Sequence, residues 1–477
     1  MQLRGDHLLF SPSDLANFVA CEHLSQLDLA VALGELTRPS FSNAYVDLIA
    51  RKGVEHERNF LNSLRLAGHV VTEVGLGNEG NFAAAAAAAV EAMHSGAKYI
   101  YQAVFMADGW HGIADFLERI DRPSALGAWS YQVLDTKLAR HPRPEHALQL
   151  CFYSHALEQI QKAAPEMAYV ILGTHERFPI RLANVAAYFR RLQSRFREAI
   201  TAQAQSAPYP CEHCAFCGFL STCEAHWERE DHLARVAGIR RDQVTRLLTA
   251  GIETLTALAE ARPDTRVPKI PGATFEGLHD QAALQLETQR GDTIVWHELP
   301  VEDGRGFAAL HRRSTGDVIL DLEGHPFFEP ARGLTFLFGV VTVDGDAPRY
   351  EPFWAHDRDG ERRAFENFID LVHARLTQHP DLHVYHFGAY EESAIKRLMG
   401  EYATRESEVD DLLRQKIFVN LTPSFAKPCA RASQATRSRN WNLSLSSRAS
   451  LPCGPAWRPS STTSSGSKAR TISSSRR

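Results

Sequence analysis

Two sets of residues have types and spacings that could do chemistry. Cys211, Cys214, Cys217 and Cys223 crowd one short segment, "CEHCAFCGFLSTC", of a chain with eight cysteines in all. A fifth, Cys21 in "VACEHL", lies far upstream. Thiols this dense in a reducing compartment hold a metal, hold an iron–sulfur cluster, or stay free. The second set is acidic. Asp115 falls in one β-run, and the next run ends in Asp135-x-Lys137. Period-two geometry points Asp135 and Lys137 to one face of a sheet. Alone, such a pair reads as a plain ion pair. A second carboxylate on a neighbouring strand changes that, because converging carboxylates repel unless a cation sits between them. Oxygen-rich sites suit Mg²⁺ or Mn²⁺.

The elements that must position these groups are legible. "PSDLANFVACEHLSQLDLAVALG" has apolar residues at helical steps, with Ser11 and Ser13 as candidate N-caps and Cys21 inside the helical region. "NAYVDLIARKGVEHERNFLNSLRLAG" predicts a second helix, with Leu48, His56, Phe60 and Leu64 on one stripe. A histidine on such a stripe is ordinarily a packed core residue. "KYIYQAVFMADGWHGIADFLERI" reads as two strands joined at Asp108–Gly109, a hairpin signal, and "WSYQVLDTKLAR" as a third. The helix "PRPEHALQLCFYSHALEQIQ" then puts Gln149 and Tyr153 on one face.

In this order, His56 in "GVEHE", Asp115 in "GIADF", Asp135 and Lys137 in "LDTKL", and Gln149 with Tyr153 in "QLCFY", the chain resembles the RecB-like branch of the PD-(D/E)XK nucleases. The resemblance implies a restriction-endonuclease-like α/β domain. It makes His56, Asp115, Asp135 and the Thr136 carbonyl ligands of a divalent metal. Lys137 would orient or deprotonate the attacking water, and Gln149 and Tyr153 would position the DNA strand or the lysine. Cys214-x2-Cys217-x5-Cys223 resembles the trailing triplet of the iron–sulfur subgroup, in which a lone upstream cysteine, here Cys21, is the fourth ligand of a [4Fe-4S] cluster and Cys211 is spare. The rival is Zn²⁺ on Cys211, Cys214, Cys217 and Cys223, which leaves Cys21 unexplained.

Further on, "AGIETLTALA" resembles half of a helix-hairpin-helix, whose glycine turns present amides to DNA phosphates; an ordinary helical linker is the other reading. From about residue 290, "GDVILDLEGHPF", "LTFLFGVVTV", "ERRAFENFIDLVHARL" and "DLHVYHFGAYEESAIKRLM" give strand, strand, helix and strand-helix. With Asp321-x-Glu323 ending the first strand, this resembles the ribonuclease-H-like fold of DEDD exonucleases. That implies a second metal site at Asp321 and Glu323, with Glu391 or Glu392 in place of the family's second-motif aspartate. The last family acid has no counterpart, because no Asp or Glu follows Asp411. The Ser- and Arg-rich stretch after Asn420 is either a natural basic tail or a translation out of frame.

The expected architecture is α/β throughout: a RecB-like nuclease domain over 1–225, a helical linker over 226–290, a partial ribonuclease-H-like domain over 291–421, and a disordered tail over 422–477. At 477 residues the chain is long enough for several cores. It has no apolar run of spanning length and no apolar signal-peptide core, so the expected compartment is the cytoplasm. The formal net charge of −5 gives no global basic field. The expected activity is Mg²⁺- or Mn²⁺-dependent cleavage of single-stranded or flapped DNA in repair or defence. A helicase is the expected partner, because longer nuclease–helicase proteins share this domain order. The alternative is a non-catalytic nucleic-acid-binding fragment. A redox protein lacks any flavin or nicotinamide motif.

Overall fold

The computed structural model describes residues 1–422 and 429–431, apart from 6, 42, 77–80, 203–205, 292–294, 299–302, 304–305, 330–331 and 345–346. The expectations of a disordered tail and of a shifted frame lie outside the described residues, except at 429–431.

The chain opens with a small hairpin, β1 (Gln2–Arg4) and β2 (His7–Leu9), then α1 (Pro12–Ala20) and α2 (Glu22–Ala32). Ser11 starts α1 through a reciprocal cap with Asp14, whereas Ser13 lies inside the helix. The expected single helical region is broken at Cys21, whose extended backbone (φ −160°, ψ 107°) ends one helix and begins the next. Cys21 is therefore at a half-buried joint between two helices rather than on a helix face.

Next come α3 (Ala44–Leu66), β3 (Val71–Glu73), α4 (Phe82–His94), β4 (Tyr99–Ala107), β5 (Trp110–Ile120), β6 (Ser130–Lys137), α5 (Pro144–Gln161), β7 (Met167–Leu172), β8 (Arg177–Arg181), α6 (Ala186–Thr201) and α7 (Leu220–Arg229). The strands form one sheet in sequential order β3 to β8. β4–β5 is a hairpin whose turn residues Asp108 (φ 50°) and Gly109 (φ 77°) both have positive φ, the backbone that matches the twist of two-residue hairpins. β5–β6 is antiparallel and β6–β7 parallel. One face of the sheet packs on α1, α2, α4, α5 and α6 through residues such as Phe105, Leu117, Val133, Leu150 and Phe196. The other face packs on α3 through Leu61, Leu64, Tyr101, Phe116 and Leu134.

A separate helical unit follows, with α8 (Arg241–Thr249), α9 (Leu255–Ala259) and α10 (Gly272–Arg290). It has its own core of Leu233, Val244, Leu247, Leu255 and Phe275. The last unit holds β9 (Trp296–Glu298), β10 (Val318–His325), β11 (Leu334–Asp344), β12 (Ala347–Trp354), α11 (Arg358–Gln378), β13 (Val384–His386), α12 (Tyr390–Tyr402), α13 (Glu406–Arg414), β14 (Phe418–Asn420) and β15 (Cys429–Arg431). Its five-stranded sheet runs β12-β11-β10-β13-β14. β10 is antiparallel to β11 and parallel to β13. Val318, Leu320 and Leu322 of β10 bury against α11 to α13. β15, past the expected domain end, pairs antiparallel with β9.

Candidate nuclease active site

The site forms where β5 and β6 run together between the α3 and α5 layers. Asp115 is fixed by its neighbour strand: Thr136 donates both its backbone N–H and its hydroxyl to Asp115 Oδ2, each at 2.7 Å. Asp135 is fully buried, and Lys137 Nζ stands 2.5 Å from its Oδ2. Its Oδ1 accepts no hydrogen bond among the described residues. An orphaned carboxylate oxygen inside a protein is costly. Burial first, then the Asp115 charge, pushes the Asp135 carboxyl up to about 7, with Lys137 pulling the other way. Lys137 is opposed by burial but held above its ordinary value by Asp135, Asp115 and Glu57.

His56 reaches the same place from α3. It is buried, and its Nε2 lies 3.1 Å from the Ile171 carbonyl oxygen, beside Thr136 in the β6–β7 ladder. Burial lowers its pKa, the Ile171 contact and Asp115 raise it, and His175 lowers it again. From α5, Tyr153 is buried, its pKa raised by burial and by Asp135, with Gln149 bonded to it. Gly112 makes that approach possible, since a Cβ there would lie 2.8 Å from the Tyr153 ring. Asp115, Asp135, Thr136, Lys137, His56, Gln149 and Tyr153 thus border one region.

Two neighbours were not singled out from sequence. Glu57 is half-buried beside His56 and feels both Asp115 and Lys137. His146, buried under Arg143 on the α5 first turn, is pushed down to about 4 by burial and then Lys137. Their signal was weak, being one more Glu on a charged helix and one more helical His.

As to a cation, Asp115, Asp135 and His56 offer hard oxygen and imidazole donors, and the orphaned Asp135 oxygen fits such a group. Among the described residues no three His, Cys, Asp or Glu side chains stand in a ligating cluster; Asp115 is turned to Thr136, and Asp135 to Lys137.

Cys21, Cys211, Cys214, Cys217 and Cys223 line one cavity of about 20 Å³, together with His23, His213 and Trp227. Cys211 and Cys214 Sγ are 3.8 Å apart. Burial pushes Cys214 up to about 11 and Cys223 up to about 12, and the neighbouring thiols add to it. Five cysteines lining one cavity supply the soft donors that a metal or cluster would take, and in the metal-free chain burial favours their neutral thiols. The same absence of a ligating cluster applies here.

In the last unit, Asp321 and Glu323 point away from the β10 core, and both are exposed. Although both side chains reach solvent, partial desolvation by the surrounding groups and then Glu391 raise Asp321, and partial desolvation, then Asp321 and Glu391, raise Glu323. Glu391 is buried in the first turn of α12, with Oε2 at 3.4 Å from His386 Nδ1. Glu392 instead pairs with Lys396 at 2.5 Å. The structure therefore turns Glu391, and not Glu392, toward Asp321 and Glu323.

Comparison with known families agrees with both folds. Residues 50–224 match the family model of the PD-(D/E)XK nuclease superfamily, and residues 318–442 that of the RNase_H superfamily. The chain joins a PD-(D/E)XK domain to an RNase H-like domain, the combination its motifs resemble. The second match extends past 421, where the domain was expected to end. No curated protein matches the chain. No helix among the described residues is long and apolar enough to cross a membrane.

Proposed function

We propose that the N-terminal domain is a metal-dependent DNA nuclease of the RecB-like kind, acting on single-stranded or flapped ends in repair or defence. The observation that carries this reading is Asp135: fully buried, ion-paired to Lys137, beside Asp115, and with Oδ1 unmet. Asp115, Asp135, His56 and the Thr136 carbonyl would hold Mg²⁺ or Mn²⁺. When bound, such a cation supplies a more acidic water and stabilises charge on the scissile phosphate.

The chain's own groups do the rest. Thr136 keeps the Asp115 carboxylate aimed at the site. Lys137, held charged by its acidic neighbours, orients the attacking water and offsets charge in the transition state. Tyr153 and Gln149 close the α5 side and position the strand. Cys21, Cys214, Cys217 and Cys223 would hold a [4Fe-4S] cluster that ties the α1–α2 joint to the end of the domain, closing a long loop. The Asp321, Glu323 and Glu391 set is a second, incomplete acidic site that binds without cleaving. The test is release of label from end-labelled single-stranded DNA: Mg²⁺ or Mn²⁺ should support it and a chelator should stop it. Equal cleavage with the chelator would sink the reading.

A further inference from the structure

Resting on that reading, we propose that the open face of the last unit's sheet is a base-stacking platform for single-stranded DNA. Tyr350, Trp354 and Tyr390 take unpaired bases beside Asp321 and Glu323, and this binding needs no cation.

The sheet has one covered face. Val318, Leu320 and Leu322 of β10, with Phe338 and Val340 of β11, bury against α11 to α13. The alternate residues point the other way. Cross-strand register sets these in rows: Ile319 beside Val341 and Tyr350, Asp321 beside Gly339 and Pro352, and Glu323 beside Leu337 and Trp354. Ile319, Tyr350 and Trp354 are 48, 57 and 55 % exposed. Scattered exposed apolar residues need no explanation, whereas a group on one face marks a binding surface.

Two glycines show how rings are set around the acids. Gly339 lies beside Asp321, and a Cβ there would be 3.3 Å from the Tyr350 hydroxyl, so the Tyr350 ring leans across the Asp321 row. Gly324 follows Glu323, and a Cβ there would be 2.7 Å from the Tyr390 hydroxyl. Tyr390, at the start of α12, is 48 % exposed. The two tyrosines thus flank the acidic pair, one from the β12 side of the sheet and one from the β13 side. Trp354 lies nearly parallel to Phe336 and His356, at 15° and 12°, which fixes the direction its ring faces.

The chemistry of the face selects its occupant. An apolar protein surface seated here would bury Asp321 and Glu323 without partners, which is costly. An added protein strand is opposed at the sheet edge, because β12 carries Pro348 and Pro352. Phosphates are repelled by the two carboxylates. Unpaired bases meet all three conditions. Their flat faces stack on tyrosine and tryptophan, their N–H edges donate to carboxylates, and the phosphates then point to solvent. Single-stranded DNA is also the substrate proposed for the nuclease domain of the same chain.

The experiment is fluorescence anisotropy of the full chain, in chelator, with a labelled single strand of thymidines; circular dichroism confirms that each variant folds. Tyr350→Ala and Trp354→Ala should each weaken binding about tenfold, while Tyr350→Phe and Trp354→Phe stay within about twofold of wild type. A strand of abasic sites, with the same phosphates and no bases, should bind wild type at least about tenfold more weakly. If both alanine variants bind the thymidine strand as wild type does, or the abasic strand binds equally well, the platform is wrong. Cleavage of single-stranded DNA by the same protein with Mn²⁺ would then leave the nuclease reading standing. Self-association that Trp354→Ala abolishes, with DNA binding unchanged, would give the face to a second copy of the chain and overturn the proposal. If wild type neither binds the strand nor cuts it with Mn²⁺, the nuclease reading falls as well.

Discussion

Thr136 holds Asp115 by two bonds at once, its backbone N–H and its hydroxyl both meeting Oδ2 at 2.7 Å. This couples two adjacent strands exactly where one supplies Asp135 and Lys137 and the other supplies Asp115. The strand that carries the lysine thus also sets the direction of the partner carboxylate. Replacing Thr136 with Val should remove one of the two bonds while keeping the β-branched shape. A loss of about 0.5–1.5 kcal/mol in stability is expected, from a hydrogen bond removed at a partly buried site. The half-saturating Mg²⁺ concentration should rise as Asp115 gains freedom. Chemical denaturation and a metal titration of cleavage read the two effects separately, and an unchanged metal requirement would contradict the coupling.

Asp135 makes the metal-free protein pH-sensitive. Its folded pKa, about 7, lies above the ordinary carboxylate value. The native state therefore keeps a proton that the unfolded chain has lost, so stability falls as pH rises through this window and is lowest above about 7. Asn cannot ionise. Asp135→Asn should melt higher than wild type in chelator at about pH 8, with the gap closing toward about pH 4. Adding Mn²⁺ should narrow the gap at high pH. A variant that melts lower than wild type at about pH 8 would contradict the assigned burial cost.

The cysteine cavity gives a prediction with a visible readout. Protein purified without oxygen should be brown, and Cys21→Ser should lose both iron and thermal stability, since the α1–α2 joint would come free. Cys211→Ser should retain iron, because Cys21, Cys214, Cys217 and Cys223 remain. Stoichiometric zinc, unaffected by changing Cys21, would decide for the rival site.

Phe196 tests the packing that carries the site. It is fully buried on α6 and meets Phe10, Phe18 and Trp110 with ring centroids at 5.2, 5.5 and 5.6 Å. Phe196→Ala should cost about 3–5 kcal/mol. A cost below about 1 kcal/mol, measured by denaturant unfolding, would show that this cluster does not hold α1 and α6 to the sheet.

Much of the fold was legible because hydrophobic period and turn chemistry agreed. The Asp108–Gly109 turn, the shared face of Asp135 and Lys137, and the alternation Val318, Leu320, Leu322 around Asp321 all follow from local rules. Three features did not, each for a physical reason. The break at Cys21 carries no proline or glycine to announce it. β12, "APRYEPFW", has two prolines and several polar residues, so its pattern was not read as a strand, yet it is an edge strand, where proline is tolerated. The left-handed backbone of Gln102 (φ 53°) is one that a glutamine does not advertise, and with it the bond from Gln102 Nε2 to Glu57 Oε1 was hidden. The site residues read by type and order were those on regular elements; those missed depend on distortion.

In the proposed function Asp135 is the centre of the cutting site, and Asp321 belongs to a site that does not cut. The most direct measurement is cleavage of end-labelled single-stranded DNA with Mn²⁺ by wild type, Asp135→Ala and Asp321→Ala, each verified as folded. Asp135→Ala should lose at least about a hundredfold in rate, and Asp321→Ala should cut as wild type does. Cleavage that survives Asp135→Ala, or that disappears with Asp321→Ala, would contradict it.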